Sequence, residues 1–245
     1  MLSDLKTLYH LVLKPIRGKD HAARLESFYC GQAEAYDDYR RRLLHGREAL
    51  WQNVPVPEDG VWVDMGGGTG SNLELFGPNI EKLRQIYVVD LSASLLAVAR
   101  RRIDRNGWKN AQTIEADATS FRPPGGAADV VTFSYSLTMI PDWFAAIDSA
   151  REMLGPGGLI GVVDFYVSRK YPADRLRRHR WFTRSFWPIW FAFDNVFPSP
   201  DHVPYLRRRF QPVHFAENRA KLPCIPLLRM PYYTFVGRKE GKTGV

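Results

Sequence analysis

Residues 61–72 read VWVDMGGGTGSN, a short apolar run that ends in an acidic residue and breaks into four glycines within five positions. VWVDM has the length and β-branched content of a strand covered on both faces. Glycines at 66, 68 and 70 permit positive φ angles and a close approach of the backbone to a ligand, and a helix beginning just after them presents free N–H groups. Alone, such a loop is a weak sign of a nucleotide-type ligand. Its surroundings strengthen it. QIYVVD, AQTIEAD, ADVVTFSYS and GLIGVVDFY read as four further strands, with NLELFG, SASLLAVARRRIDRN and DWFAAIDSAREMLG as the helices between them. That alternation predicts a parallel sheet covered by helices. GPGG at 155–158 is expected to stop the last helix and feed the fifth strand. PYYTFVGRK at 231–239 supplies a terminal strand.

The second strand ends in Asp90, 26 residues beyond Asp64, where a carboxylate at a strand tip can accept both hydroxyls of a ribose. Asp117, in IEADA after the third strand, is placed to meet an adenine edge. A dinucleotide fingerprint needs a third glycine three residues after the second, and position 71 is Ser. The pattern DxGxGxG, with the acid at Asp90, the EADA acid and the GPGG turn, resembles the class I S-adenosylmethionine-dependent methyltransferases over roughly residues 60–165. An NAD-binding module is the competing reading.

The resemblance implies a Rossmann-like α/β fold with a seven-stranded sheet, and S-adenosylmethionine as cofactor. It implies that Asp64 lies near the methionine amino group, that Gly66, Gly67, Gly68, Thr69 and Asn72 form the cradle, that Asp90 and Leu91 hold the ribose, and that Asp117 and Ala118 bracket the adenine. Ser134 and Tyr135, at the tip of the fourth strand, would face the sulfonium, although Ser134 also reads simply as a strand end.

Length and composition fit one domain with decorations. The expected parts are a helical lid and membrane-facing N-terminus at 1–55, a cofactor core at 60–165, an irregular substrate or membrane insert at 166–212, and terminal strands at 213–245. No apolar run reaches the roughly 18–20 residues that span a bilayer, and the first 20 residues lack a secretory cleavage pattern. Two cysteines, Cys30 and Cys224, show no metal or disulfide spacing, so no metal site is expected and a reducing, cytoplasmic compartment is. Charge is uneven. Residues 166–245 hold 16 Lys/Arg against 5 Asp/Glu, which attracts phosphate-bearing partners or an anionic membrane surface, or forms an ordinary solvated face.

FYCGQAEAYDDYRRRLLHGREALW, residues 28–51, places Tyr29, Ala33, Tyr36 and Arg40 on one helical face. It reads as a helix lidding the cofactor, or as an aromatic surface for a cation at Tyr36 and Tyr39 with Arg40 or Arg47 clamping a carboxylate. The segments FYxxQAExYDxYRxRLLHGR, FSYSLTMIPDW and VVDFYVSRK, with the Arg/Trp/Phe-rich insert behind them, resemble the methyltransferases of betaine-lipid synthesis across nearly the whole chain. That resemblance implies successive methylation of the amine of diacylglyceryl-homoserine, and an S-adenosylmethionine:diacylglycerol aminocarboxypropyltransferase as functional partner. The chain itself agrees in part. LKTLYHLVLKPIRGK is a basic amphipathic stretch, and residues 175–210 interleave arginine with Trp and Phe, which favour the headgroup boundary or cap a pocket. Peripheral membrane association follows as an expectation.

Tyr36, Tyr135 and Asp164 are the expected catalytic residues, with His45 a further candidate to accept a proton. Tyr36 and Arg40 also belong to the expected cofactor set. Arg47, Arg180 and Arg184 are the candidates for a substrate carboxylate. Rival acceptors are a soluble small molecule, an isoprenoid quinone and nucleic acid. The last is disfavoured, because the fourth-strand tip reads SYSL rather than an NPPY-type signature and no RNA-binding module is apparent. No nucleic-acid partner is expected.

Overall fold

The computed structural model describes residues 19–20, 23–24, 26, 42–173, 175–192, 195–222 and 228–241. Seven strands form one sheet: β1 (Val61–Met65), β2 (Gln85–Asp90), β3 (Ala111–Glu115), β4 (Ala128–Ser134), β5 (Leu154–Phe165), β6 (Gln211–Lys221) and β7 (Arg229–Arg238). Their order is β3-β2-β1-β4-β5-β7-β6, with β7 inserted antiparallel beside β5 and β6 antiparallel at the edge. The first five strands are parallel. The chain reverses direction across β1, and the crevice beyond the carboxyl ends of β1 and β4 is where ligands of open α/β sheets bind.

The helices are α1 (Arg47–Asn53), α2 (Ala93–Asn106), α3 (Trp143–Met153), α4 (Trp181–Ala192) and α5 (His202–Arg209). A 3-10 segment, Ser71–Lys82, kinks at Gly77. All five residues of β1 are buried, because helices cover both faces of the sheet. Alternation within it still sorts the sides. Val61, Val63 and Met65 join α3 and α5 on one face, while Trp62 joins α1, the 3-10 segment, α2 and α4 on the other. Trp62 anchors that second face: its ring meets Phe76 edge-on at 4.7 Å and Trp51 at 6.0 Å, and its Nε1–H donates to Thr132 Oγ1 at 3.0 Å. The α2 helix starts on a Ser92 cap that accepts from the Leu95 N–H and ends at Gly107 with φ 67°.

Two expectations are corrected. GPGG does not cap α3, which ends at Met153 with Leu154 already extended. It is an irregular start to β5, where pairing with β4 shifts register between Ala128 and Val130 and the Lys239 N–H donates to the Gly158 carbonyl at 2.8 Å. The segment 166–212, expected to be irregular, contains α4 and α5. Trp187 and Phe191 bury one side of α4, and Val203 and Leu206 bury one side of α5. Most of the expected lid before Arg42 lies outside the described residues; beyond it, Leu44, Leu50 and Trp51 join the core.

Candidate active site

The carboxyl ends of β1, β2 and β4 open onto a cavity of about 280 Å³. Gly66, Gly68 and Gly70 all have positive φ, 65°, 55° and 68°, so the loop after β1 turns in a way that L side chains resist. At Gly66 the requirement is also spatial, since a Cβ there would meet the Ser136 Cβ at 2.4 Å. The loop is tied down by its own backbone. The Gly67 N–H donates to the Val89 carbonyl at 3.1 Å, and the Gly68 N–H donates to Asp90 Oδ2 at 2.9 Å. Asp90 Oδ1 accepts from the Ser92 N–H at 2.9 Å. A carboxylate accepts up to about four hydrogen bonds, which suits Asp90 to receive ribose hydroxyls as well.

Of the expected cofactor residues, Gly66, Gly68, Asp90, Leu91, Asp117 and Ala118 line this cavity. Asp64, Gly67, Thr69, Asn72 and Ser134 are not in its lining; Asp64 and Asn72 bond to each other beneath the loop. Asp64 is buried beneath it, accepting from Asn72 Nδ2 and Thr132 Oγ1 at 2.8 Å each. Burial pushes its carboxyl up to about 6, against the lowering influence of Asn72, Thr132 and Arg47. Arg47 Nε in turn donates to Asn72 Oδ1 at 2.9 Å, and its Nη2 donates to Ser71 Oγ at 2.8 Å. Arg47, a candidate for the substrate carboxylate, is thus built into the support of the glycine loop. The buried Thr69 gives its carbonyl to Arg102.

Tyr135 is the strained residue of the site, with φ 56° directly after β4. It lines the cavity, while its hydroxyl donates to the His45 carbonyl and its ring meets Phe165 at 4.5 Å. Burial drives its phenol well above the usual range, so it stays protonated and cannot serve as a base. Asp164 is fully buried and absent from the lining; its carboxylate accepts from the Thr138 N–H, the Thr138 hydroxyl and the Phe165 N–H. Its pKa is raised to about 7 by burial. The group fastens β5 to the 3-10 turn Leu137–Met139. His45 lines a separate hollow with Arg47 and Glu48. Tyr36 and Arg40 lie outside the described residues.

Residues the sequence did not single out complete the wall: Ser136, Met139, Ile140, Pro141 and Asp142, together with Leu95. The available signal was the stretch SLTMIPD directly after β4. Near the β2 tip, Glu26 accepts from the Ser92 hydroxyl at 2.8 Å. Glycine backbone, a carboxylate at a strand tip and an apolar wall of Leu91, Leu95 and Ile140 fit a nucleoside-bearing group of the size of S-adenosylmethionine.

The fold and this cavity define a class I methyltransferase that takes S-adenosylmethionine as cofactor. The chain matches the family described as "Methyltransferase domain" over residues 36–220 and belongs to it. It is similar to the ubiquinone/menaquinone biosynthesis C-methyltransferase UbiE of Cellvibrio japonicus, 26% identical over 211 residues that cover 84% of this chain and 83% of that protein. The corresponding Pseudomonas fluorescens protein is 27% identical over 169 residues, 66% of each chain. Among solved structures, the YcgJ protein of Bacillus subtilis superposes with a TM-score of 0.65 at 14% identity, covering 80% of this chain and 99% of its own. A SAM-dependent methyltransferase from Aquifex aeolicus does so at 0.59 and 14%, covering 85% and 97%. At that identity the structural likeness concerns the fold alone.

Proposed function

We propose that this methyltransferase acts on a lipid acceptor at a membrane surface, and that the acceptor is the amine of diacylglyceryl-homoserine, methylated in successive steps to the trimethyl betaine lipid. The observation that carries the lipid reading is α4. Trp181, Phe182 and Ile189 are 73%, 54% and 65% exposed, beside Arg178 and Arg180, an arrangement suited to the headgroup boundary. Among the described residues no helix is long and apolar enough to cross a membrane, so contact would be peripheral. The choice of an amine is supported by the betaine-lipid resemblance of the segments around Tyr36, Tyr135 and Asp164. An upstream aminocarboxypropyl transfer to diacylglycerol would have to supply the acceptor.

When bound, S-adenosylmethionine supplies an electrophilic methyl group. Gly66 and Gly68 would let it approach the backbone, Asp90 would hold its ribose and Asp117 with Ala118 its adenine. An amine accepts a methyl group only when neutral, and an ordinary alkylamine has a pKa near 10. Tyr135 stays protonated and Asp164 is enclosed, so neither takes the proton from the amine. Met139, Ile140 and Pro141 instead disfavour the ammonium by removing water, and the proton leaves to solvent before the amine is seated. The face of the Tyr135 ring would attract a nitrogen that becomes a permanent cation as methyl groups accumulate.

A second reading, methylation at carbon of a ubiquinone or menaquinone precursor, is favoured by the relatives, and on sequence similarity alone it is the better supported. Both acceptors are lipids. The test is methyl transfer from labelled cofactor in vesicles that contain diacylglyceryl-homoserine or a demethylated quinol, in parallel. Label in the homoserine lipid alone supports the amine; label in the quinol alone replaces it with the second reading.

A further inference from the structure

Beyond the active site, α4 and the β6–β7 hairpin enclose a cavity of about 630 Å³ lined by Arg180, Trp181, Phe182, Trp187, Arg219 and Arg229, among others. Among the described residues no acidic side chain lines it. Nearby acids are committed elsewhere: Glu217 accepts from the Tyr166 hydroxyl and the Arg177 N–H, and Asp201 pairs with Arg169 at 2.6 Å. Among the described residues, no carboxylate pairs with Arg180, Arg184, Arg219 or Arg229, and the buried Arg184 Nε has no hydrogen-bond partner. Lys221 and Arg229 stand directly opposite each other in the β6–β7 ladder, a like-charge pair that costs stability unless an anion lies between them. The cations also converge on buried His179, whose pKa falls to about 4 through burial and through Arg219, Arg177 and Arg184.

This cavity shares no lining residue with the one at the glycine loop. Because the two cavities are lined by different residues, an anion bound here need not be the acceptor's carboxylate. Trp181 and Phe182 stand exposed on its rim, where they can enter an apolar layer while the arginines remain at headgroup depth.

We propose that the cavity between α4 and the β6–β7 hairpin binds the phosphate of an anionic phospholipid headgroup and fixes the enzyme on the bilayer, separately from acceptor binding. The inference rests on the membrane-surface reading above but not on the identity of the acceptor.

Flotation of the full chain with vesicles of phosphatidylglycerol in phosphatidylcholine, containing no acceptor, tests it. Recovery should rise with the phosphatidylglycerol fraction and fall with salt. The double variant Arg219→Gln/Arg229→Gln should need about ten-fold more lipid or higher for half-binding, and Arg229→Gln alone several-fold more. Unchanged melting and unchanged methyl transfer in nonionic micelles would mark the loss as one of membrane binding. Equal recovery on pure phosphatidylcholine, or equal binding by the double variant, would overturn the proposal. So would tighter retention on single-stranded RNA than on vesicles, or equally tight binding of soluble glycerol phosphate. If homoserine lipid went unmethylated while the flotation difference stood, the acceptor assignment alone would fail.

Discussion

Gly66 carries two constraints at once, a left-handed backbone and a Cβ position occupied by Ser136. Gly66→Ala should therefore displace the β4 loop from the cofactor cavity and weaken S-adenosylmethionine binding by about ten-fold or more, as isothermal calorimetry would read. Binding within two-fold of wild type would contradict the role given to this glycine. Asp164 makes a prediction in pH. Its folded pKa of about 7 lies above that of an exposed carboxyl, so its protonated form stabilises the fold. That contribution is complete below pH about 4 and is lost as the pH rises to about 7. Wild type should lose stability over that window relative to Asp164→Asn, by an amount on the order of 4 kcal/mol. Parallel curves for the two proteins would show that burial does not raise the carboxyl's pKa. Residue identities around the cofactor were legible because glycine spacing and strand-tip acids are sparse, position-specific signals. Ser136, Met139 and Ile140 were not, since an apolar wall uses the same residue types as any core.

At the level of elements, α1 and α4 brace the same side of the sheet. Phe191 of α4 stacks on Phe165 of β5 at 4.8 Å, and Phe165 in turn meets Tyr135. Phe191→Ala should cost about 3–5 kcal/mol in denaturant unfolding, the range for a buried aromatic; a loss below 1 kcal/mol would show that α4 is not packed as described. Arg47, the first residue of α1, supports Asn72 and Ser71 from outside the cavity. Arg47→Ala should raise the KM for S-adenosylmethionine several-fold with little change in kcat; a fall in kcat alone would place Arg47 at the acceptor instead. β1, β2, β4 and β5 were readable because burial on both faces writes a nearly continuous apolar run, whereas β3, AQTIE, is mostly exposed or half-buried and was read from its place in the alternation. β6 was harder to read: it is an edge strand whose residues are largely exposed or half-buried, and QPVHFAENRAK carries little alternation. α4 was read as irregular because Pro188 and a nearly unbroken aromatic run mask its 3.6-residue period.

Across the whole molecule, charge and chemistry separate. The sheet's carboxyl-end loops hold a cavity whose charged lining residues, Asp90, Asp117 and Asp142, are all acidic, while α4 and the β6–β7 hairpin gather cations around another. The uneven charge was plain in the sequence, but its division from the catalytic cavity was not, because which arginines share a cavity depends on how β7 inserts between β5 and β6. An enzyme of this arrangement should turn over its acceptor faster on anionic vesicles than on neutral ones at equal acceptor content, with the advantage removed by high salt. Equal rates on both surfaces would leave the basic cavity without a part in turnover.

The central claim is that the methyl group goes to the nitrogen of a membrane lipid. Mass analysis of diacylglyceryl-homoserine, incubated in vesicles with the enzyme and S-adenosylmethionine, tests it most directly. Mono-, di- and trimethylated lipid appearing in sequence is the expected result. Cofactor binding without any methylated homoserine lipid, alongside a methylated quinol in the same vesicles, would contradict it.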